Sequence, residues 1–287
     1  LKTEEKLIYG KDEEFIKDNI SYFSPVAKRL FTEVIDIRKD VVEQDKKDFI
    51  NILLRMELEE DPEEYRQLSL QLENLFPKIW ASDDRITPLV ALFLLRYHAS
   101  TESNKEEDIR KIASDSLRII ANSNVIPYLI DRLCEKDEII YDDLNLLFPY
   151  LGPDALHALI ARLKKEERIQ SRKCLISAIA RFGRSAIPFL TELIKSRDID
   201  VASTTISVLA SRKETNAEEE VLALMKRSPF LKRNLRIQIP AILYLGVIGS
   251  VKAIPYLKSI IMRKPWFNKE LREQLRYEAA HALGKIG

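Results

Sequence analysis

One short text recurs along this chain and limits what it can become. VIPYLIDRL, ALHALIARL, AIPFLTELI and AIPYLKSII place Pro127, His157, Pro188 and Pro255 at equivalent positions, with successive steps of 30, 31 and 67 residues. The last step spans two units, and AEEEVLALM, around Glu219, fills the gap. Before each copy lies a second apolar run, such as RKCLISAIARF, whose Leu, Ile and Ala recur at i, i+3 and i+4, the spacing of one helical face. Strand-like alternation is missing from these units. Two helices per unit at a fixed period predict an all-α protein, an α-solenoid of antiparallel helix pairs, because one pair cannot bury its apolar stripe without a neighbour. The segments beginning near Val125, Pro153, Ser185 and Ser250 should be second helices, and Leu190 should sit in the core.

The glycines are few and patterned. Gly152, Gly183, Gly246, Gly249, Gly284 and Gly287 each follow an apolar-periodic run, as in FPYLG, AIARFG, AILYLGVIG and AHALGKIG. All six are expected to be helix stops, since the residue after a last turn often needs positive φ. Proline in the first turn of the following helix fits as well, because its missing N–H would have had no partner there.

Together, AIPYLKSII and the closing pattern LRxxxxxEAAHALGKIG resemble the bacterial HEAT-like repeats also seen in phycobilisome lyases. The likeness covers Glu106 to Gly287 and is clearest at Ser171–Ser196 and Asn234–Arg263. It implies a right-handed superhelix with second helices on the concave face, and it offers a lyase-like cofactor chaperone as one functional class. On this reading Leu271 to Gly287 is a first helix whose partner is cut off or supplied elsewhere, so that the final repeat is incomplete. Leu275, Ala279, Ala282, Leu283 and Ile286 share its apolar side, which should be partly exposed and available for self-association.

Residues 1–105 read as an irregular helical region, a cap or degenerate repeats, ahead of regular repeats in 106–287. SPVAKRLFTEVIDI, DKKDFINILLRMEL, DPEEYRQLSLQLENLF and TPLVALFLLRYHA are amphipathic runs, with Ser24–Pro25 and Asp61–Pro62 as cap-then-proline starts. Ala99 to Asp108, ASTESNKEED, is polar and lacks an apolar period, as a linker would.

Composition is that of a globular chain with ample apolar content for a core, and no run of about 18 apolar residues exists to span a bilayer. The start at Leu1 suggests a processed or trimmed chain. Cys134 and Cys174 stand singly within helical patterns, which fits helix packing in a reducing, cytoplasmic setting.

Charge is uneven behind a formal net of +1. Residues 1–105 carry 16 Lys/Arg against 22 Asp/Glu, whereas Lys226 to Arg276 holds twelve basic residues against Glu270 and Glu273. Lys226, Arg227, Lys232, Arg233, Arg236, Lys258, Arg263, Lys264 and Lys269 are therefore candidate anion-binding or partner-binding residues, with Trp266 placed to stack a base among them. A simpler account competes, since cations near helix C-termini gain about 0.3–1 kcal/mol each from the helix dipole without any ligand. Arg162, Lys164, Lys165, Lys195 and Arg197 close second helices in that manner.

Catalytic patterns do not emerge. His98, His157 and His281 lie far apart, with no HExxH pair and none of the histidine–glutamate dipeptides by which related helical-repeat hydroxylases bind iron. Neither a GxSxG elbow nor a Walker loop occurs. The chain is thus expected to be no enzyme, to use no cofactor or metal, and to bind a protein partner as a scaffold module of a larger regulatory protein. Nucleic acid or phosphate on residues 226–276 is the alternative.

Overall fold

The structure is a computed structural model that describes residues 22–34, 44–121, 124–136, 139–226, 232–262 and 269–287. Among these residues the chain is helical throughout, with turns between helices and no strand, and the fold is an all-α solenoid of stacked helix pairs. Two compact units divide it: residues 1–129 with 137–153, and residues 130–136 with 154–287.

The second unit follows the predicted repeat. Its helices are α8 (Pro153–Lys165), α9 (Ile169–Ala180), α10 (Ile187–Ile194), α11 (Ile199–Ser211), α12 (Glu218–Lys226), α13 (Lys232–Val247), α14 (Ile254–Met262) and α15 (Lys269–Ile286). First helices stack in a row: α11 packs on α9, α13 on α11, and α15 on α13, while α10, α12 and α14 each pack on the first helix that follows. Second helices begin at Pro153, at the 3-10 turn Gly183–Ala186 and at the 3-10 turn Val251–Ala253, close to the predicted starts. Leu190 is buried, as are Cys134 and Cys174, both free thiols. Asp198 starts α11: its carboxylate accepts from the N–H groups of Asp200 and Val201, which would otherwise lack partners.

Two glycines depart from the expectation of a stop. Gly152, Gly249 and Gly287 have positive φ just beyond helical segments and Gly183, also at positive φ, opens the 3-10 turn that follows α9, but Gly246 and Gly284 lie inside α13 and α15. Gly246 answers a packing demand. A Cβ there would come within 2.8 Å of the Ala282 Cβ and 2.9 Å of its Cα, so glycine lets α13 and α15 cross in close contact. On α15, Leu275, Ala279 and Ala282 are buried, Leu283 and Ile286 are half-buried, and Tyr277 is exposed beside His281.

The first unit is built otherwise. Its elements are α1 (Pro25–Arg29) running into a π turn (Leu30–Val34), α2 (Gln44–Leu58), α3 (Pro62–Ala81), α4 (Ile86–Ala99) and α5 (Glu107–Ile120), then α7 (Tyr141–Leu147) with a 3-10 extension. The division between the units falls within helix α6 (Val125–Glu135), which belongs to the first unit up to Leu129 and to the second from Ile130. Ser24 and Asp61 cap α1 and α3 as predicted. Helix α4 is apolar around its whole circumference, and every residue from Thr87 to His98 is buried. Such a helix must be covered on all sides. Helices α2, α3, α5 and α7, together with α1 and its π turn, provide that cover.

Candidate functional site

A buried polar chain crosses the first unit where a solenoid would hold only apolar contacts. Tyr65 on α3 and His98 on α4 are both fully buried, and Glu57 on α2 is nearly so. The Tyr65 hydroxyl lies 2.8 Å from His98 Nδ1, and His98 Nε2 lies 2.8 Å from Glu57 Oε2. The other oxygen of Glu57 accepts the Ser24 N–H at 2.7 Å. Lys105 closes the arrangement by donating from Nζ to the carbonyls of Glu57 and Glu59, at 2.6 and 2.7 Å, where α2 ends. The linker-like stretch 99–108 is therefore a tethered connector, with Ser103 donating to the carbonyls of His98 and Ser100.

Protonation follows from the environment. Burial raises the Glu57 carboxyl, but hydrogen bonds from His98 and Ser24 outweigh it and hold the group below its ordinary value, so Glu57 is an anion. Burial lowers the His98 imidazole, with Glu57 opposing and Lys105 adding to the fall, so His98 is neutral. A carboxylate only accepts, which puts the single imidazole proton on Nε2 and leaves Nδ1 to accept from the Tyr65 hydroxyl. Tyr65 keeps that proton, because burial and the nearby Glu57 charge push it well above its usual value. Each member is satisfied, and the unit is pinned in one arrangement.

Glu57 is also the point where this chain reaches a cleft of about 760 Å³. Tyr22, Phe23, Pro25, Leu58, Tyr97 and Ile109 form its apolar walls, and Glu57, Glu60, Asn104, Lys105 and Glu106 its polar ones. Tyr22 is 78% exposed, while Glu60 and Glu106 also face solvent. Tyr65 and His98 do not line the cleft.

Of the sequence-predicted candidates, Lys258 alone has a described side chain, exposed on α14. Lys226, Lys232, Arg233, Arg236 and Lys269 belong to described helices but their side chains lie outside the described residues, as do Arg227, Arg263, Lys264 and Trp266 altogether. Five cations elsewhere in the second unit pair with carboxylates. Arg162 binds Asp131 at 2.5 Å and Glu166 at 3.0 Å, Arg168 binds Glu166 at 3.0 Å, and Arg172 binds Asp198 at 2.5 Å. The Arg168 and Arg162 guanidinium groups hold the Glu166 carboxyl down at about 2, against the opposing effect of desolvation. Lys195 faces Glu220, and Lys252 pairs with Glu218 and Glu219. Among the described residues no group of three or more His, Cys, Asp and Glu side chains is arranged to hold a metal ion, and no helix is long and apolar enough to cross a membrane.

The sequence matches no family model and no curated protein. Among solved structures it is similar to human deoxyhypusine hydroxylase in complex with glycerol, at 14% identity and a TM-score of 0.37, over 84% of this chain and 96% of that one. The expectation that the chain is no enzyme is corrected by this likeness, since the similar chain is named as an enzyme and lacking motifs does not decide the matter.

Residues Glu57, Tyr65, His98 and Lys105 were missed by sequence reasoning. A signal did exist: Arg96 and His98 interrupt TPLVALFLLRYHA, a run apolar on every side, and polar groups in such a helix must find buried partners.

Proposed function

We propose that the chain is a partner-binding module of a larger regulatory or scaffold protein, and that a protein partner enters the cleft beside Glu57. The supporting observation is the cleft's construction. Its inner wall is fixed by a polar chain whose hydrogen bonds are already complete, so Tyr22, Glu60, Asn104 and Glu106 are presented outward on a rigid frame. An aromatic side chain among carboxylates suits a peptide segment with Lys or Arg, by charge and by cation–π contact. A photo-crosslinking residue at Asn104 should capture that partner, and Glu60→Lys with Glu106→Lys should weaken its binding while Lys258→Glu leaves it unchanged. Loss of binding with Lys258→Glu and none with the cleft variants would move the site to the basic region. A salt-dependent mobility shift with generic DNA and RNA then separates nucleic acid from protein.

The narrower likeness to bacterial phycobilisome-lyase repeats rests on the AIPYLKSII and EAAHALGKIG texts, and a cytoplasmic setting on the lone Cys134 and Cys174. Self-association through Leu271–Gly287 belongs to the same proposal: Tyr277→Asp should lower the apparent mass at high concentration, and an unchanged mass removes this arm.

A further inference from the structure

Four cations stand together on the turns that join the helices of two neighbouring pairs. Arg181 caps the end of α9 and Arg212 the end of α11, and Arg184 and Lys213 follow them in the same two turns. Because α9 and α11 pack side by side as consecutive first helices, their ends lie about 8–10 Å apart. All four side chains are exposed, and no carboxylate pairs with them among the described residues. They differ in this from Arg162, Arg168, Arg172, Lys195 and Lys252, each of which has a carboxylate partner.

The helix dipole accounts for two of the four. Arg181 and Arg212 sit at helix C-termini, where a cation is favoured without any ligand. The other two occupy places that local energetics oppose. Arg184 lies in the 3-10 turn that opens α10, at the positive end of that helix. Lys213 has a φ of 54°, in the left-handed region, at the residue that closes α11. Its N–H bonds the Ala210 carbonyl and the Glu214 N–H bonds that of Leu209, the same two bonds that Gly249 and Ser250 make to Gly246 and Leu245 after α13. Glycine fills the left-handed position in one turn and lysine fills it in the other, although a side chain is strained there. Residues held against local stability mark places where the side chain itself is needed.

We propose that Arg181, Arg184, Arg212 and Lys213 form a docking patch for a short acidic segment of a protein, whose carboxylates pair with the two cationic turns. The patch is bounded on both sides. Asp154 stands in the first turn of α8 on one, and Glu218, Glu219 and Glu220 open α12 on the other, where Lys252 is already held by Glu218 and Glu219. A nucleic-acid backbone continuing along this edge would meet those carboxylates, whereas a few acidic residues fit between them. Three of the four cations are arginines, whose planar forks match carboxylates two bonds at a time.

The test follows binding of a labelled oligoglutamate peptide to the full chain by fluorescence anisotropy, with circular dichroism confirming that each variant stays helical. Arg184→Glu with Lys213→Glu should weaken binding about tenfold. Lys164→Glu with Lys165→Glu changes the net charge equally, at exposed cations that close α8, and should leave affinity within about twofold. Lys213→Gly separates binding from support: it should raise the melting temperature, by relieving the left-handed backbone, and still weaken binding. No binding to the unaltered chain overturns the proposal, and so does an equal loss in the two double variants, which would mean attraction by bulk charge alone. Lys213→Gly that melts no higher, or that binds as before, overturns it as well. A single-stranded oligonucleotide that outcompetes the peptide and weakens with Arg184→Glu and Lys213→Glu would assign the patch to nucleic acid instead.

Discussion

Alanine at Gly246 and alanine at Gly284 make a matched pair that isolates the close crossing of α13 and α15. Both glycines sit inside helices, so each substitution gains about 0.5–1 kcal/mol from reduced backbone entropy in the unfolded chain and better helix propensity. At Gly284 a Cβ meets nothing within 4 Å, and that gain should appear whole. At Gly246 it meets Ala282 at 2.8 and 2.9 Å, the second contact being with main chain, so two packed helices must move apart. Overpacking of this kind costs about 1–3 kcal/mol, larger than the propensity gain at most of its range. The difference between the two variants cancels the shared helix term and should equal the clash, about 1–3 kcal/mol in favour of Gly284→Ala. Thermal unfolding followed by circular dichroism reads this as a gap of about 2–4 °C for each kcal/mol. Adding Ala282→Gly to Gly246→Ala should recover most of the loss through coupling between the two sites. If Gly246→Ala melts with Gly284→Ala, or if Ala282→Gly does not rescue it, the crossing is not as close as described and glycine there is only a weak helix residue.

Leu190→Ala should cost about 2–5 kcal/mol in a denaturant titration, because the side chain is buried between stacked helices and its removal leaves a cavity. Tyr65→Phe keeps the packing but leaves His98 Nδ1 buried without a donor, and should cost about 1–3 kcal/mol by the same assay. Acidification should weaken the units at different pH. In the first unit the folded state lowers both His98 and Glu57, so it binds fewer protons than the unfolded chain; stability is full at neutral pH, begins to fall near the ordinary histidine value of 6.5 and falls again below the ordinary glutamate value of 4.5. The second unit's Glu166 is held at about 2, so its contribution is present above 4.5 and is lost between 4.5 and about 2. Melts at stepped pH should therefore show exchange protection fading first among residues 44–121, and simultaneous loss in both units would contradict the assignment.

The helix-pair period, the caps at Ser24, Asp61 and Asp198, and the second-helix starts were legible because each depends on residues within a turn or two of one another. Apolar spacing selects a helix, a short polar side chain satisfies its first N–H groups, and proline enters where no donor is needed. Gly246 marks where that local reading fails. Its text, YLGVIG, is that of a helix stop, and only the approach of α15, thirty-six residues on at Ala282, turns the same residue into a crossing point. The candidate site is of the second kind throughout. Glu57, Tyr65, His98 and Lys105 come from α2, α3, α4 and the connector, and nothing in their spacing announces that they meet. Even the charge state of His98 belongs to the tertiary structure: sequence supplies an imidazole with an ordinary tendency to protonate, burial with a Lys105 ammonium nearby keeps it neutral against the pull of an ionised Glu57, and the hydrogen bond to Glu57 decides which nitrogen carries the proton. Local geometry is set by near neighbours in the chain, whereas desolvation and buried hydrogen bonds arise only once distant segments exclude water together.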